Sequence, residues 1–210
     1  MKIRFIGDVH GKFTPYKNII KDVPVSMQVG DMGVGFFRED YISGQRIPET
    51  NPPFDVMERG DHTYIRGNHD NPAVCRRQKH WIPDGTMKNN VFCVGGAVSI
   101  DKEYRVEGLT WWPDEELSHQ ELLTVYDDYV KLKPRYVMTH ETPSCISDMF
   151  GLRKYPIMSN TPKALEYMWE EHKPDVWVFG HWHLSFDRVI MGTRFICLNE
   201  LEYIDLEIEQ

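Results

Sequence analysis

The sequence of 210 residues has no long apolar run and no closely spaced pair of cysteines. No apolar stretch approaches the ~20 residues that a membrane-spanning helix needs, so we expect no membrane span. The four cysteines are scattered and include no Cys-x-x-Cys pair, which disfavours a thiolate zinc site or a disulfide framework. The first residues follow a strand pattern at once, so we expect no signal peptide. These absences predict a reduced, cytoplasmic protein.

Basic residues are outnumbered by acidic ones, with 24 Lys and Arg against 32 Asp and Glu and a formal net charge of -8. Nucleic-acid binders usually carry a basic stripe, so nucleic acid is a disfavoured partner. A pair of metal ions would add about four positive charges locally, and an anionic substrate therefore stays open. The sequence has no repeat, linker or low-complexity tract, and we predict one domain over residues 1–210. The oligomeric state is left unpredicted.

Hydrophobic periodicity predicts that strands alternate with helices and then close the chain as a meander. The predicted strands cover residues 2–6, 25–29, 62–66, 91–100, 135–139, 175–179, 186–191, 193–198 and 202–208. Helices are predicted from residues 14, 118 and 161, the second of which opens on a capping box formed by Ser118 and Glu121. Residues 32–60 lack periodicity and are predicted to form a loop. This order predicts an α/β fold with two packed sheets covered by helices.

Five short motifs rich in metal-binding side chains stand mostly at the ends of predicted strands. They are Asp8-Val9-His10, Gly30-Asp31, Gly67-Asn68-His69-Asp70, His140 and Gly180-His181-Trp182-His183. In an extended backbone, residues two apart point to the same side, so each x-separated pair would present two ligands together. The delivery of ligands from several strand ends is typical of a two-metal hydrolytic centre.

The donor atoms of these motifs are carboxylate and amide oxygens and imidazole nitrogens. The candidate metal ligands are Asp8, His10, Asp31, Asn68, His140, His181 and His183. Asp31 can bridge two cations, because a carboxylate has two oxygens. A mixed set without thiolate favours two divalent or trivalent ions, with Mn²⁺ expected first and Fe or Zn as alternatives. Two such ions about 3.5–4 Å apart would polarise a phosphoryl oxygen and generate a hydroxide nucleophile.

From Asp8 to His183, the order and spelling of these motifs closely resemble the calcineurin-like metallophosphoesterase superfamily, in particular its small bacterial and phage members. The resemblance implies a four-layered αββα sandwich, with two packed mixed sheets flanked by helices. It also implies metal-dependent hydrolysis of a phosphomonoester or phosphodiester by a metal-bound hydroxide. One metal would take Asp8, His10, Asp31 and His183. The other would take Asp31, Asn68, His140 and His181.

The resemblance implies a catalytic role for His69, and the residues themselves suggest further roles around it. His69 would face the substrate, where it stabilises the phosphoryl oxygens or protonates the leaving group. Asp70 could orient His69, and Glu141 is interpreted as a solvated neighbour of His140. Arg105 is the first candidate for gripping the phosphate of a phosphorylated small molecule or nucleotide. Further candidates are Arg38, Arg46, Arg153, Lys154, Trp111 and Trp112.

Four other functions compete with this reading. The protein-phosphatase branch continues its second motif as Gly-Asp-x-x-Asp-Arg-Gly, whereas here Val34 replaces the second Asp and the Arg is missing. These departures disfavour both a Ser/Thr-type protein phosphatase and a dinucleoside polyphosphate hydrolase. A nuclease is disfavoured by the acidic balance. A catalytically silent scaffold of the same fold would predict eroded ligands, whereas every ligand position here holds a competent residue.

Overall fold

Two mixed β-sheets form the centre of the protein in the computed structural model, which describes residues 1–39, 43, 46–48, 52–152 and 158–209. The first sheet has three parallel strands and an antiparallel edge strand, in the order β12 (Tyr203–Glu207), β1 (Lys2–Ile6), β2 (Val25–Gln28) and β5 (Asp61–Tyr64). The second sheet has the order β10 (Phe186–Ile190), β11 (Thr193–Cys197), β9 (Val176–Phe179), β8 (Tyr136–Thr139), β7 (Val91–Val94) and β6 (Thr86–Lys88). Its four inner strands are parallel and its two edge strands are antiparallel.

The helices lie outside the two sheets. They are α1 (Phe13–Ile20), α2 (Phe54–Met57), α3 (Pro72–Cys75), α4 (His119–Leu132), α5 (Ser144–Met149) and α6 (Thr161–Glu171). A short 3-10 helix covers Lys102–Tyr104, and β3 (Phe37–Glu39) pairs with β4 (Arg46–Pro48) as a separate hairpin. None of the helices in the described part of the chain combines the length and the apolar character needed to cross a bilayer.

Three apolar clusters separate these layers, because strand side chains alternate between the two faces of a sheet. Ile3 and Phe5 of β1 face Val178 of β9 in the cluster between the sheets. Trp177 of β9 points the other way, into a cluster shared with α4, α5 and α6. The outer face of the first sheet packs on α1, α2 and α3. The order of layers is therefore helix, sheet, sheet, helix, which confirms the predicted α/β sandwich.

The structure departs from the predicted elements in two places, residues 32–60 and residues 91–100. Residues 32–60 contain the β3–β4 hairpin and α2, whose strands and helix are only three or four residues long and leave no periodic signal. The strand predicted over residues 91–100 ends at Val94, because the next residues are glycines and Gly96 has a φ of +84°. The predicted capping box is confirmed, since the Ser118 side chain accepts from the Glu121 amide and the Glu121 carboxylate accepts from the Ser118 amide.

The five motifs follow the carboxyl ends of five strands drawn from both sheets. β1, β2 and β5 of the first sheet lead into Asp8, Asp31 and Asn68, in that order. β8 and β9 of the second sheet lead into His140 and His181. The sandwich thus brings these polar side chains to one edge, where the two sheets meet.

Candidate metal centre

Three of the predicted ligands form an outer cluster, which consists of Asp8, His10 and His183. The Nε2 atom of His183 lies 3.1 Å from Oδ2 of Asp8 and 3.0 Å from Nε2 of His10. The side chain of His183 is 47% exposed, whereas Asp8 is fully buried. A carboxylate and two imidazole nitrogens thus converge on a point that opens to solvent.

Three further ligands form an inner cluster, which consists of Asn68, His140 and His181. Nε2 of His140 lies 3.1 Å from Oδ1 of Asn68, and the rings of His140 and His181 are 5.0 Å apart between centroids. Nδ1 of His140 lies 2.9 Å from the carbonyl oxygen of Val29. Because a carbonyl oxygen only accepts, Nδ1 carries a proton, and Nε2 is the ring nitrogen that faces Asn68 and the inner cluster.

Asp31 lies between the two clusters and faces both of them. Its Oδ2 is 3.7 Å from Nε2 of His10 in the outer cluster, and its Oδ1 is 3.4 Å from Nε2 of His140 in the inner cluster. Asp8 also groups with Asp31 and His140, so the clusters adjoin. The structure therefore brings all seven predicted ligands together, with the Asp31 carboxylate between the two clusters.

The electrostatics of this buried place favour a cation. Burial works to raise the pKa of the Asp31 carboxyl, but the imidazoles of His140, His69 and His10 outweigh burial and hold that pKa well below its usual range. Burial also lowers the pKa of His140, yet the Asp31 carboxylate raises it above the ordinary value. A metal ion would take the place of the proton that this carboxylate attracts.

The backbone at the ligands is left-handed, which corrects the expectation of extended x-separated pairs. His10 has a φ of +48°, Asp31 of +58°, His181 of +65° and His183 of +49°. Non-glycine residues rarely adopt this conformation, and they do so mainly where the surrounding structure imposes it, as at functional sites. The strands β1 and β9 end before the motifs begin, so tight turns after the strands aim the imidazoles.

Two glycines allow the backbone to approach the carboxylates closely. A Cβ atom on Gly67 would lie 2.0 Å from Oδ1 of Asp31, and one on Gly180 would lie 2.2 Å from Oδ1 of Asp8. Both distances are far below van der Waals contact. Glycine at these two motif positions is therefore required by the space that the ligands occupy.

His69 lies beside the outer cluster and under an aromatic side chain. Its ring is 4.8 Å from that of His10 and stacks on Phe36 at 5.8 Å between centroids. Burial lowers the pKa of His69, Asp31 works against that, and Arg105 adds to the lowering. Asn68 and His69 form a turn, so the alternation of side chains along an extended backbone does not apply to them. One His69 nitrogen groups with ligand atoms of His10 and Asp31.

Arg105, the residue directly after the short 3-10 helix, reaches the ring of His69. Its Nη2 lies 2.5 Å from Nε2 of His69, and its Nη1 lies 3.3 Å from Nδ1. The carboxylate of Asp101 holds the guanidinium through Nε at 2.7 Å and Nη2 at 2.8 Å. The arginine singled out in the sequence therefore stands beside the predicted catalytic histidine, with its side chain only 11% exposed.

Asp70 contacts a different part of the site from the one expected. In the described part of the chain, the four hydrogen bonds of its carboxylate come from backbone amides of Met32, Gly33, Val34 and Gly67. The orientation of His69 by Asp70 is therefore corrected: this carboxylate ties the loop that carries Asp31 to the turn that carries Asn68. Its burial is complete, and burial together with Asp31 raises its pKa to about 6.

Several side chains that hold the ligands escaped the sequence analysis. Glu141 is buried, not solvated as expected, and its carboxylate accepts from Nε1 of Trp182 at 2.8 Å and lies 3.7 Å from Nε2 of His181. Its place directly after His140 was a usable signal. Ser99 and Glu115 stand behind Asn68. No spacing in the sequence connects these two residues to the motifs.

The structure describes the side chains of only some of the remaining substrate candidates. Arg153 and Lys154 lie outside the described residues, as do the side chains of Arg38 and Arg46. Trp112 is buried and meets the ring of Phe36 edge-on at 5.1 Å. It belongs to the wall that supports Phe36 over His69.

The donor set fits a pair of transition-metal ions. Two carboxylates, one amide oxygen and four imidazoles supply oxygen and nitrogen without sulfur, as Mn, Fe and Zn accept. The sandwich and its two adjoining clusters define the class of protein, an α/β protein with a candidate metal centre for hydrolysis. The profile of the calcineurin-like phosphoesterase family matches residues 1–185, and the chain belongs to that family. The activity of the chain is phosphoester hydrolysis.

Solved structures resemble the chain at low sequence identity. Phosphopantetheinyl hydrolase of Mycobacterium tuberculosis superposes with a TM-score of 0.50 at 13% identity, over 95% of this chain and 89% of that one. A predicted phosphoesterase of Streptococcus pneumoniae gives 0.42 at 13% identity over 99% and 83%. A Thermotoga maritima protein solved in solution gives 0.38 at 14% over 99% and 92%. A search of curated proteins finds no match.

Proposed function

We propose that this protein hydrolyses a phosphate ester of a small molecule or nucleotide, as a monoester or a diester, at two metal ions. The observation that supports this most is the position of Asp31, whose two carboxylate oxygens face the outer and the inner cluster. The outer cluster and Asp31 would hold one ion, and the inner cluster and Asp31 the other. When bound, such a pair lowers the pKa of a water molecule to supply the nucleophile and polarises the phosphoryl oxygens.

The chain's own residues would bind and orient the substrate. His69 stands at the rim of the outer cluster, where its ring can donate a hydrogen bond to a phosphoryl oxygen or a proton to the leaving group. Phe36 covers one face of the His69 ring and excludes water from it, and Trp112 supports Phe36 from behind. Asp101 holds Arg105 in one orientation, which reduces the entropy lost when the guanidinium binds phosphate.

Arg105→Ala should raise KM for phosphate esters and lower kcat/KM by about 10- to 100-fold, which corresponds to the ~1.5–3 kcal/mol of a charge-assisted hydrogen bond. Arg105→Lys should recover only part of this loss, because an ammonium group cannot make the two-pronged contact. Steady-state kinetics of both variants test the role, with the exposed Arg188→Ala as a control for loss of one positive charge. A fall in kcat with an unchanged KM would instead make Arg105 a positioning residue for His69.

Removal of metal should abolish the activity. After dialysis against a chelator, we expect turnover to be lost and to return better with Mn²⁺ than with Mg²⁺ or Ca²⁺, because four of the seven ligands are imidazoles. A screen of bis-p-nitrophenyl phosphate, p-nitrophenyl phosphate, cyclic nucleotides, dinucleoside polyphosphates and phosphopeptides measures both metal dependence and substrate class. Full turnover in a metal-free sample, verified by elemental analysis, would show that the chemistry lies elsewhere.

The competing substrates are separate outcomes of that screen. A protein phosphatase would need a replacement for the missing second Asp, and both a protein phosphatase and a dinucleoside polyphosphate hydrolase would need one for the missing Arg. Val34, at the position of that Asp, is buried in the apolar cluster beneath α1. A silent scaffold would turn over none of these substrates, with or without added metal. We further propose a cytoplasmic location, since all four cysteines are unpaired, as a reducing compartment favours.

A further inference from the structure

A chain of three buried polar side chains ends on the predicted metal ligand Asn68. The amide nitrogen of Asn68 donates to Oγ of Ser99 at 3.0 Å. The Ser99 hydroxyl in turn donates to Oε2 of Glu115 at 2.5 Å, and the Ser99 backbone amide donates to Oε1 at 2.9 Å. The exposed fractions of Asn68, Ser99 and Glu115 are only 3%, 2% and 3%. The three groups are thus bound to one another out of contact with solvent.

The direction of the hydrogen bonds in this chain is set at its far end. An ionised carboxylate only accepts, so the Ser99 hydroxyl must give its single proton to Glu115. With that proton committed, Oγ of Ser99 can only accept from Asn68. The NH₂ group of Asn68 therefore turns towards Ser99, and its carbonyl oxygen turns towards Nε2 of His140 and the inner cluster.

We propose that Glu115 is a positioning residue that acts through Ser99 and determines which end of the Asn68 amide faces the inner metal position. An amide can bind a metal through its oxygen but not through its NH₂ group, so the wrong orientation would remove a ligand. The inference rests on the proposed metal centre and adds to it the control of one ligand. Outer partners of this kind commonly change metal affinity by about 10- to 100-fold.

The carboxylate of Glu115 is separable from the structural role of the same residue. The guanidinium of Arg66 donates to the backbone carbonyl oxygen of Glu115 at 2.7 Å and to that of Asp114 at 3.1 Å. Nε of Arg66 donates to the carboxylate of Asp84. These bonds anchor the segment without using the Glu115 side chain. A substitution that keeps the shape of that side chain should therefore change the hydrogen-bond direction while leaving the anchor in place.

Glu115→Gln makes such a change. The new side chain keeps an oxygen for the Ser99 backbone amide, so its NH₂ group meets the Ser99 hydroxyl, and that hydroxyl must now donate to Asn68. The Asn68 amide should turn over, and one of two bound Mn²⁺ ions should bind about 10- to 100-fold more weakly. Equilibrium dialysis of the full chain against Mn²⁺ with elemental analysis measures both constants. Ser99→Ala, which removes the acceptor without adding a donor, should weaken the same ion by less.

A second substitution should restore the affinity. Asn68→Asp offers an acceptor at both ends, so in the Glu115→Gln background the Ser99 hydroxyl can donate to one oxygen while the other faces the metal. Asn68→Asp alone leaves one hydroxyl proton between two carboxylates and should bind Mn²⁺ less well than the double variant. This favourable coupling in a double-mutant cycle is a result that a merely structural Glu115 would not give. Ser147→Ala, at a buried serine that donates to the carbonyl oxygen of Ser144, is the matched control.

The outcomes separate the two claims. A wild-type protein that binds no Mn²⁺ overturns the metal centre and this inference together. A wild-type protein that binds two ions, with Glu115→Gln binding both at wild-type constants, overturns the role of Glu115 alone. Loss of an ion in Glu115→Gln without recovery in the double variant also contradicts the hydrogen-bond direction. If Glu115→Gln does not fold, as judged by its thermal unfolding, Ser99→Ala and its comparison with Ser147→Ala decide the matter.

Discussion

Asp31→Ala should lose at least one of two bound metal ions and lower kcat/KM by more than about 100-fold, the upper end of what even the outer partners of a metal contribute. The reason is that Asp31 presents one oxygen to His10 in the outer cluster and the other to His140 in the inner cluster. The variant also leaves the backbone amide of His69 without its acceptor, Oδ1 of Asp31 at 2.6 Å. Elemental analysis of the purified variant, beside its kinetics, measures both effects.

The control for Asp31→Ala is a carboxylate at the opposite end of a site-bearing strand. Asp175 precedes β9, is about half exposed and pairs with Arg135, so Asp175→Ala removes a negative charge away from the clusters. We expect this control to keep both ions and its activity. Two ions retained in Asp31→Ala, at wild-type affinity, would contradict the bridging role.

His69→Ala should keep both metal ions and lower kcat by about 10²- to 10⁴-fold, the usual contribution of a positioned acid or base. The ring lies at the rim of the outer cluster in contact with Arg105, where it faces the place of the scissile phosphate in the proposed complex. The loss should be smaller for p-nitrophenyl esters, because p-nitrophenolate leaves without needing a proton. Kinetics with leaving groups of different pKa, together with metal analysis, measure this difference.

The structure sharpens the alternative to this role for His69. One nitrogen of His69 lies within 4.8 Å of ligand atoms of His10 and Asp31, as a metal ligand would. If His69→Ala loses an ion as Asp31→Ala does, His69 is a ligand and not a proton donor. His119→Ala, at an exposed histidine that opens α4, should change neither metal content nor kcat.

The sequence was sufficient to locate the site, because the site follows strand ends. The apolar patterns of four strands can be recognised in the sequence, namely those of β1, β2, β8 and β9. The polar residue that follows each pattern lies at the carboxyl end of a strand. Parallel strands bring those ends to the same edge of a sheet. The two-sheet sandwich followed from the order of the elements, because strands first alternate with helices and then close the chain as a meander.

The local geometry of the ligands could not be predicted in this way. The extended-backbone argument for Asp8 and His10 failed because the left-handed φ of His10 is imposed by contacts from distant segments. One such contact is the bond from the His10 amide to the carbonyl oxygen of Asp31 at 2.7 Å. A residue's neighbours in sequence do not determine such a conformation; the rest of the fold does.

The contacts of the supporting side chains could not be predicted from the sequence for a related reason. Asp70 lies next to His69 in sequence, yet its carboxylate reaches back to amides at Met32, Gly33 and Val34. Arg105 is 36 residues from His69 and touches its ring. Proximity in sequence thus suggested the wrong partner for His69, and only the packing of the segment after β7 supplies the right one.

The central claim is that one carboxylate joins two metal positions at the edge of the sandwich. Crystals of the protein grown with Mn²⁺, measured at the manganese absorption edge, test it directly through the anomalous difference map. The account predicts two peaks about 3.5–4 Å apart with Asp31 between them. One peak should be surrounded by Asp8, His10 and His183, and the other by Asn68, His140 and His181. A single peak, or two peaks that do not share Asp31, would contradict the account.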